Sequence, residues 1–238
     1  MAFIECRNVS FSYEGNLVIS ELNFSVNRGD YLCVVGENGS GKSTLIKGIL
    51  RLKQPQSGSI RTDDSLKANE IGYLPQQTAV QKDFPASTYE VIISGRLNTR
   101  GIFPFYSKAD KIIAEKNIEL LKIEDLRNKC YRELSWGQQR RALLARALCS
   151  AQKILILDEP VAGLDPVMTR DLYKTIEKIN REMGITIIMV SHDIHSAVKY
   201  ATHMLHLENT QVFFGETKDY INSGVGSGFL ENKGEQDG

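Results

Sequence analysis

A glycine-rich stretch, VVGENGSGKST at residues 34–44, has the spacing G-x-x-x-x-G-K-[ST] from Gly36 to Ser43. It follows the apolar run YLCVV and opens a segment with helical spacing, and this context separates a phosphate loop from an ordinary glycine turn. Glycines let the backbone wrap around phosphate oxygens, and the amides of a helix start present partial positive charge to them. Lys42 adds a full charge, and the Ser43 hydroxyl can ligate Mg²⁺. The predicted loop comprises Gly36, Glu37, Asn38, Gly39, Ser40, Gly41, Lys42, Ser43 and Thr44.

Two adjacent carboxylates end a second apolar run, ILILDEP at residues 154–160. The carboxyl ends of parallel strands meet at one edge of a sheet, so Asp158 is expected at the same edge as the phosphate loop. There it can hold Mg²⁺ through water, while Glu159 can orient or deprotonate an attacking water. Two acids at a strand end could also merely cap the next segment. Together with the phosphate loop, they predict a nucleoside triphosphate hydrolase or a phosphotransferase.

Features that the sequence lacks argue against several other functional classes. Guanine-specific hydrolases with this loop usually carry N-K-x-D, and the NKCY at residue 128 and the NKGE at residue 232 both fail that pattern. The 29 basic and 29 acidic residues balance, which argues against a nucleic-acid partner. No apolar run reaches the roughly 18 residues that span a bilayer, and no signal peptide is evident, so a cytoplasmic location is expected. The four cysteines are scattered and are expected to be inert thiols.

Hydrophobic patterning predicts an α/β fold with a parallel sheet. Three continuously apolar runs, YLCVV, KILILD and ITIIMVS, are typical of buried parallel strands with helices between them. Alternation near the N-terminus predicts an antiparallel β-subdomain. Helical spacing without a buried strand between residues 85 and 150 predicts an inserted helical subdomain, placed at about 78–150 of a domain that covers residues 1–222. The Gly-rich, polar residues 223–238 are expected to be a disordered tail.

Further motifs resemble those of the ATP-binding subunits of ABC transporters, in the order which that family shows. They are FSYEG, GYLPQQ, LSWGQ, AGLDP and VSHD, and they fall between residues 11 and 193. The resemblance implies the ABC ATPase fold, with ATP and Mg²⁺ as cofactors. It also implies roles for five further sites: Tyr13 stacking on adenine, Gln76 contacting Mg²⁺ and water, Ser135 with Gly137 and Gln138 forming the signature motif, Asp165 acting across a dimer, and His192 near the γ-phosphate.

The LSWGQ segment starts a helix and departs from the family at one position. Ser135 and Gln138 have capping-box spacing, so a well-capped helix start alone would explain them. In the family this helix start faces the nucleotide held by the other subunit of a homodimer, with ATP at the interface. Trp136, the sole tryptophan, stands where the family usually has glycine. Its indole could stack at the dimer interface or point aside, and the sequence leaves both alternatives open.

The segment DFPASTYEVIISGRL at residues 83–97 resembles a subgroup that imports divalent metal ions, namely zinc, manganese or iron, and zinc or manganese is the expected cargo. This resemblance implies a permease in the membrane, docked on the helical insert around residues 83–96, and indirectly an extracytoplasmic solute-binding protein. The chain would then lie at the inner face of the cell membrane. Siderophore or vitamin import, export, and a non-transport ABC ATPase remain alternatives. A metal site among His192, His195, His203 and His206 is not favoured, because spacing i, i+3 on a strand splits its faces.

Overall fold

The computed structural model describes residues 2–13, 15–76, 85–99 and 105–234. The chain divides into two compact units. The first unit joins Met1–Leu66 with Asn180–Gly238, and the second unit is Lys67–Ile179. The helical subdomain predicted at 78–150 falls within the second unit, although residues 77–84 and 100–104 of that region lie outside the described part.

An antiparallel sheet in the first unit contains the N-terminal strands. Strand β1 (Ala2–Tyr13) pairs on one side with β2 (Asn16–Asn27) and on the other with β4 (Ser57–Thr62). Leu22, Phe24 and Val26 share one face of β2 and are buried, as their alternation with polar neighbours predicts. The expected antiparallel β-subdomain is therefore confirmed.

The first unit also contains buried parallel strands that carry the phosphate loop. Strand β3 (Tyr31–Val35) pairs in parallel with β7 (Thr186–Val190) and with β8 (His203–Leu207), and β9 (Gln211–Glu216) is antiparallel to β8. Every residue of β3 and β7 is buried, which explains why both read as unbroken apolar runs. The helices of this unit include α1 (Lys42–Ile49), α6 (Ile194–Tyr200) and α7 (Thr217–Asn222).

The second unit pairs two parallel strands with a set of helices. Strand β5 (Ile71–Leu74) lies beside β6 (Ile154–Asp158). The helices are α2 (Thr88–Ile93), α3 (Lys108–Leu120), α4 (Trp136–Ser150) and α5 (Pro166–Met183), the last of which runs past the boundary of the unit. Helix α4 packs against α2, α3 and β5. The α/β core and the helical insert thus match the predicted fold class.

Capping boxes fix where three of these helices begin. Ser87, Ser107 and Ser135 each accept a hydrogen bond from the backbone three residues later, and the side chain at that later position accepts one in return. Each box satisfies two backbone donors that a helix start otherwise leaves unpaired. The cap predicted at Ser135 is therefore present, and it sets the first turn of α4.

An ion pair is buried in the second unit between α3 and the turn after α2. Arg96 Nε donates to Asp110 Oδ1 over 2.8 Å, and its Nη1 donates to the carbonyl of Cys149 over 2.7 Å. Burial alone would raise the pKa of the Asp110 carboxyl, but the hydrogen bonds from Arg96 and Ser107 outweigh it and hold this pKa below its usual value. Arg96 is therefore a structural residue, and it offers no exposed charge within the segment 83–96 where permease docking is expected.

The end of the chain differs from the expected disordered tail. Helix α8 (Gly224–Gly234) occupies residues predicted to lack structure. The Phe229 ring meets the buried His206 ring edge to face, with centroids 4.5 Å apart, and the Ser223 hydroxyl accepts from the Gly226 amide. These contacts give the segment an anchor that its Gly-rich composition does not reveal. Residues 235–238 lie outside the described part.

The cysteines are free thiols, as expected from their scattered positions. Cys6, Cys33 and Cys149 are buried, whereas Cys130 is half-buried. Burial raises the pKa of the Cys6 thiol to about 12, and it also raises the pKa of Cys33 and of Cys149. Three of the four thiols are thus held in the unreactive protonated form. Within the described residues, no helix is both long and apolar enough to cross a membrane.

We expect Arg96→Ala to lower the free energy of unfolding by about 3–5 kcal/mol, because it leaves the buried Asp110 carboxylate without its partner. The ion pair stabilises the folded state at pH values above the unfolded-state pKa of the Asp110 carboxyl, about 3.9. This stabilisation is lost as the pH falls through the lower pKa that the same carboxyl has in the folded state. Urea unfolding followed by circular dichroism measures both effects. Arg7→Ala is the control, because it breaks the exposed Arg7–Glu5 pair and should cost under about 1 kcal/mol. Equal losses in both variants would contradict the assignment.

Candidate nucleotide site

The phosphate loop runs from the end of β3 to the start of α1, and two of its glycines are required by close packing. Gly36 has φ of 144°, and a Cβ atom there would lie 2.1 Å from the Leu207 carbonyl oxygen. Gly41 has φ of 95° at the N-cap of α1, and a Cβ there would lie 2.3 Å from the Ile19 side chain. The backbone therefore takes a path open only to glycine, and the first amides of α1 are available to an anion.

Lys42 lies inside this loop and is buried. Its Nζ donates to the carbonyl oxygens of Gly36 over 2.9 Å and of Glu37 over 2.6 Å, and lies 3.4 Å from the Ser40 hydroxyl. A strongly hydrated ammonium becomes expensive when water is removed, so these loop oxygens stabilise it. The same charge is fixed at the centre of the loop, where it can bind phosphate oxygens. Ser43 beside it is exposed and Thr44 is buried.

His192 lies in the first unit beside the loop. It follows β7 and is half-buried, and it lines a cleft of about 470 Å³ together with Gly36, Glu37 and Asn38. The structure therefore brings the predicted histidine and the phosphate loop to one cleft. Tyr13, at the end of β1, keeps 43% of its surface exposed and has the Lys53 ammonium 3.6 Å from its ring centroid. Stacking on a base would use the face of the ring that Lys53 does not cover.

The two predicted carboxylates and Gln76 meet in the second unit. Asp158 ends β6 and is 4% exposed. Glu159 follows it with φ of 50°, a left-handed conformation that is uncommon for a residue other than glycine. The Gln76 Nε2 donates to Glu159 Oε2 over 2.9 Å, which leaves the amide oxygen of Gln76 for another partner. Sequence reasoning named these three residues, and the structure brings them together.

The signature helix start and the AGLDP loop are also in the second unit. Gly137 is buried, and a Cβ there would lie 2.6 Å from the Met168 sulfur. Asp165 Oδ1 accepts from the amides of Val167 and Met168, both over 2.9 Å, so within the chain this residue caps α5. The Trp136 Nε1 donates to the Ala162 carbonyl over 2.9 Å. The indole N–H is thus bonded within its own chain.

Two residues of the site were not found by sequence reasoning. Tyr73 lies on β5, opposite Ile156 of β6. Burial raises the pKa of its hydroxyl to about 12, and the nearby Asp158 carboxylate, which shares a hydrogen bond with it, acts in the same direction. Arg140 is 1% exposed and donates to the Glu159 carbonyl. Tyr73 lies three residues before Gln76 and could have been suspected from that spacing. Arg140 carries no such signal, because an arginine on a helix usually faces solvent.

The histidines do not form a metal site in the described part of the chain, where no group of three or more potential metal-ligating side chains occurs. His203 and His206 lie on β8, with His203 half-buried and His206 fully buried. Burial lowers the pKa of His206, and its Nδ1 lies 2.9 Å from the Tyr220 hydroxyl. His206 therefore serves the core beside the phosphate loop.

A glycine loop after a buried parallel strand, with a lysine fixed inside it, defines a phosphate-loop nucleotide-binding protein. Comparison with known proteins gives the family. The sequence profile described as ABC transporter matches residues 19–162, more than half of the chain. The chain belongs to this family, and it is an ATPase. The resemblance drawn from the motifs is thereby confirmed.

Individual relatives match along most of the chain. The zinc uptake system ATP-binding protein ZurA of Listeria innocua is 33% identical over 223 residues, which cover 91% of this chain and 87% of that protein. The manganese transport system ATP-binding protein MntB of Bacillus subtilis is 35% identical over 219 residues, with the same coverages of 91% and 87%. A chain from an inward-facing metal-chelate type ABC transporter superposes with a TM-score of 0.84 and 28% identity, covering 93% of this chain and 86% of that one.

We expect Lys42→Ala to weaken ATP binding itself, because the lost ammonium contacts phosphate before as well as during the reaction. The loop should also loosen, since its carbonyl oxygens lose a shared donor. Isothermal titration calorimetry with ATP measures the affinity. Lys47→Ala is the matched control, because Lys47 is exposed on the same helix. Unchanged affinity in Lys42→Ala would count against the phosphate-loop assignment.

Proposed function

We propose that this chain hydrolyses ATP to power import of a divalent metal ion, zinc or manganese, through a membrane permease. The observation that carries the proposal is the similarity, along nine-tenths of the chain, to subunits named for zinc uptake and for manganese transport. The family membership and the geometry of the phosphate loop support the ATPase half of the proposal. The metal is cargo that crosses the permease, so this chain needs no site for it.

The loop residues from Gly36 to Thr44 bind the phosphates of ATP in this proposal, with Lys42 as the fixed charge. Tyr13 stacks on adenine, and His192 contacts the γ-phosphate. Glu159 orients the attacking water and accepts its proton. The hydrogen bond from Gln76 supports this role, because it holds the Glu159 carboxylate in one position.

Magnesium fits the donors assigned to it, which are the Ser43 hydroxyl, the Asp158 carboxylate and the Gln76 amide oxygen. All three supply oxygen, the ligand atom that this hard cation prefers. The buried Asp158 supplies negative charge at a strand end, and the Gln76 amide is already turned by its bond to Glu159. When bound, the ion would neutralise charge that develops on the phosphates.

A homodimer completes the site in this proposal. Ser135, Gly137 and Gln138 of one chain face the ATP bound by the phosphate loop of the other, and Asp165 acts across the same interface. The capped start of α4 supports this role, because backbone amides in the first turn of a helix attract an anion.

We expect Glu159→Gln to bind ATP with normal affinity and to lose turnover by a factor of hundreds or more, since positioning of the attacking water is lost. The variant should form a stable dimer in ATP, because the nucleotide that joins the subunits is not cleaved. ATPase assays and size-exclusion chromatography with light scattering measure both effects. Glu133→Gln, an exposed carboxylate of the same unit, should match the unmodified protein. Preserved turnover in Glu159→Gln would contradict the assignment of Glu159 as the base.

The permease is proposed to dock in a cleft of the second unit, with a volume of about 480 Å³. Its lining is largely apolar, with Glu90 and Arg146 as charged members; the residues are Pro75, Glu90, Val91, Ser94, Leu97, Tyr131, Leu143 and Arg146. Pro75 precedes Gln76, and Tyr131 lies four residues before Ser135. A segment seated in this cleft would therefore contact Pro75, the neighbour of Gln76, and the turn before the signature helix, which favours coupling of ATP hydrolysis to movement.

The cleft refines the docking surface expected around residues 83–96. Asp83 lies outside the described residues, and Arg96 is buried in its ion pair with Asp110. Leu97 is 52% exposed at the cleft and is the better anchor, because an exposed apolar side chain gains from burial against a partner. Docking there places the chain in the cytoplasm, at the inner face of the membrane, with the solute-binding protein on the opposite side.

Metal uptake in a strain that lacks this chain tests the proposal. Expression of the chain from a plasmid should restore the accumulation of radioactive zinc or manganese. Leu97→Asp should reduce the restored uptake about tenfold or more, since loss of a central docking contact costs about 2 kcal/mol or more. Ile112→Asp is the matched control, because Ile112 is 55% exposed on α3, away from the cleft. Both purified variants should keep basal ATPase activity.

Each other outcome points to a different conclusion. If the deletion changes neither metal and instead abolishes siderophore or vitamin uptake, the cargo assignment is wrong. Higher metal content in the deletion strain would indicate export. If Leu97→Asp restores uptake as fully as Ile112→Asp, the permease docks elsewhere.

A further inference from the structure

Trp136 and Arg140 lie one turn apart on helix α4 and contact each other. The Arg140 guanidinium carbon is 5.8 Å from the centroid of the indole ring, within the range of a cation–π interaction. The spacing i, i+4 places both side chains on one face of the helix. Trp136 occupies the first helical position and Arg140 the second turn. The pair therefore presents two rigid planar groups next to the start of the signature helix.

Arg140 reaches two segments that carry proposed site residues. Its Nη2 donates to the Glu159 carbonyl, and its Nη1 lies 3.4 Å from the Pro75 carbonyl, immediately before Gln76. Burial lowers the pKa of the guanidinium, whereas the nearby Tyr131, Glu159 and Asp158 act in the opposite direction. A buried charge is costly to keep unless specific partners stabilise it. Here those partners are the backbone of the two segments that hold Gln76 and Glu159.

The indole of Trp136 fixes the loop that follows Glu159. Its Nε1 donates to the Ala162 carbonyl over 2.9 Å. Gly163 comes next with φ of 75°, and a Cβ atom there would lie 3.0 Å from the same Nε1. The indole thus lies directly against the backbone of Ala162 and Gly163, in a space that only glycine leaves open.

Glu159 needs such support because its backbone is strained. Its φ of 50° lies in the left-handed region, which a residue with a Cβ adopts at a cost and retains only when its surroundings hold it there. Arg140 holds its carbonyl, Gln76 holds its carboxylate, and Trp136 holds the loop three residues later. Glu159 is thus linked to helix α4 and to the segment that follows β5, and the loop after it is fixed as well.

We propose that Trp136 and Arg140 are positioning residues that fix the Glu159–Gly163 backbone, and through it the Glu159 carboxylate, for ATP hydrolysis. The inference rests on the proposed role of Glu159 as the base. Neither side chain touches the nucleotide in this account. Their effect is to keep the carboxylate in one place, so their loss slows the chemical step and leaves ATP binding intact.

Steady-state ATPase kinetics of the full chain test this. Trp136→Phe keeps an aromatic ring but lacks the N–H that Ala162 accepts, and Arg140→Lys keeps the charge but lacks the two-pronged donor. We expect kcat to fall about threefold to tenfold in Trp136→Phe and further in Arg140→Lys. These decreases are of the size expected from the loss of one to two hydrogen bonds. The KM for ATP should change less than about twofold. Arg141→Lys, the same substitution one residue later, is the control and should change neither quantity.

Two further readouts separate positioning from a general loss of structure. In the Glu159→Gln background, Arg140→Lys should cause no additional loss of turnover, because residues that act as a unit are not additive. Arg140→Lys retains the sole tryptophan, so its emission should shift when the guanidinium leaves the ring, while Arg141→Lys leaves the spectrum unchanged. Should Arg140→Lys fail to fold by circular dichroism, Trp136→Phe alone decides the kinetic question.

The outcomes distinguish this inference from the proposed function beneath it. Full turnover in Glu159→Gln overturns the role of Glu159 and this inference with it. Loss of turnover in Glu159→Gln, with unaltered kcat in Trp136→Phe, overturns positioning alone. A large gain of turnover in Trp136→Gly would also overturn it, because the indole would then obstruct the reaction.

Discussion

Close approach of the phosphate loop to its neighbouring strands is the constraint on which the site depends. At Gly36 the backbone passes the Leu207 carbonyl, and at Gly41 it passes the Ile19 side chain, with no room for a Cβ atom at either place. That path turns the loop around the Lys42 ammonium, whose hydrogen bonds hold the carbonyls on the inside. In a glycine loop of this kind, backbone amides can bind phosphate oxygens. The buried strand β3 and helix α1 hold the two ends of the loop in place.

Each of the two units brings together its own set of the proposed site residues. The first unit brings His192 and the phosphate loop to one cleft. The second unit ties Gln76 to Glu159 and holds the backbone around them through Arg140 and Trp136. In the proposed reaction, preassembly of this kind would lower the reorganisation that catalysis requires.

Much of this could be predicted because the motifs are local in sequence. The loop from Gly36 to Ser43, the carboxylates at the end of β6 and the cap at Ser135 each depend on neighbouring residues, so spacing alone identifies them. Arg140 could not be found in this way, because its partners are 19 and 65 residues away. Helix α8 was missed for the same reason, since the ring that anchors Phe229 belongs to β8. The structure at such positions depends on contacts between residues that are far apart in sequence, and composition does not reveal those contacts.

The uneven burial of the cysteines makes the native chain suitable for site-specific labelling. Cys6, Cys33 and Cys149 are shielded from solvent, and their raised pKa values keep them as poor nucleophiles. Cys130 is half-buried and lies five residues before Ser135. A thiol-reactive spin label or fluorophore should therefore attach preferentially there, next to the signature helix. Distances between two such labels would follow the approach of two subunits without any engineered cysteine.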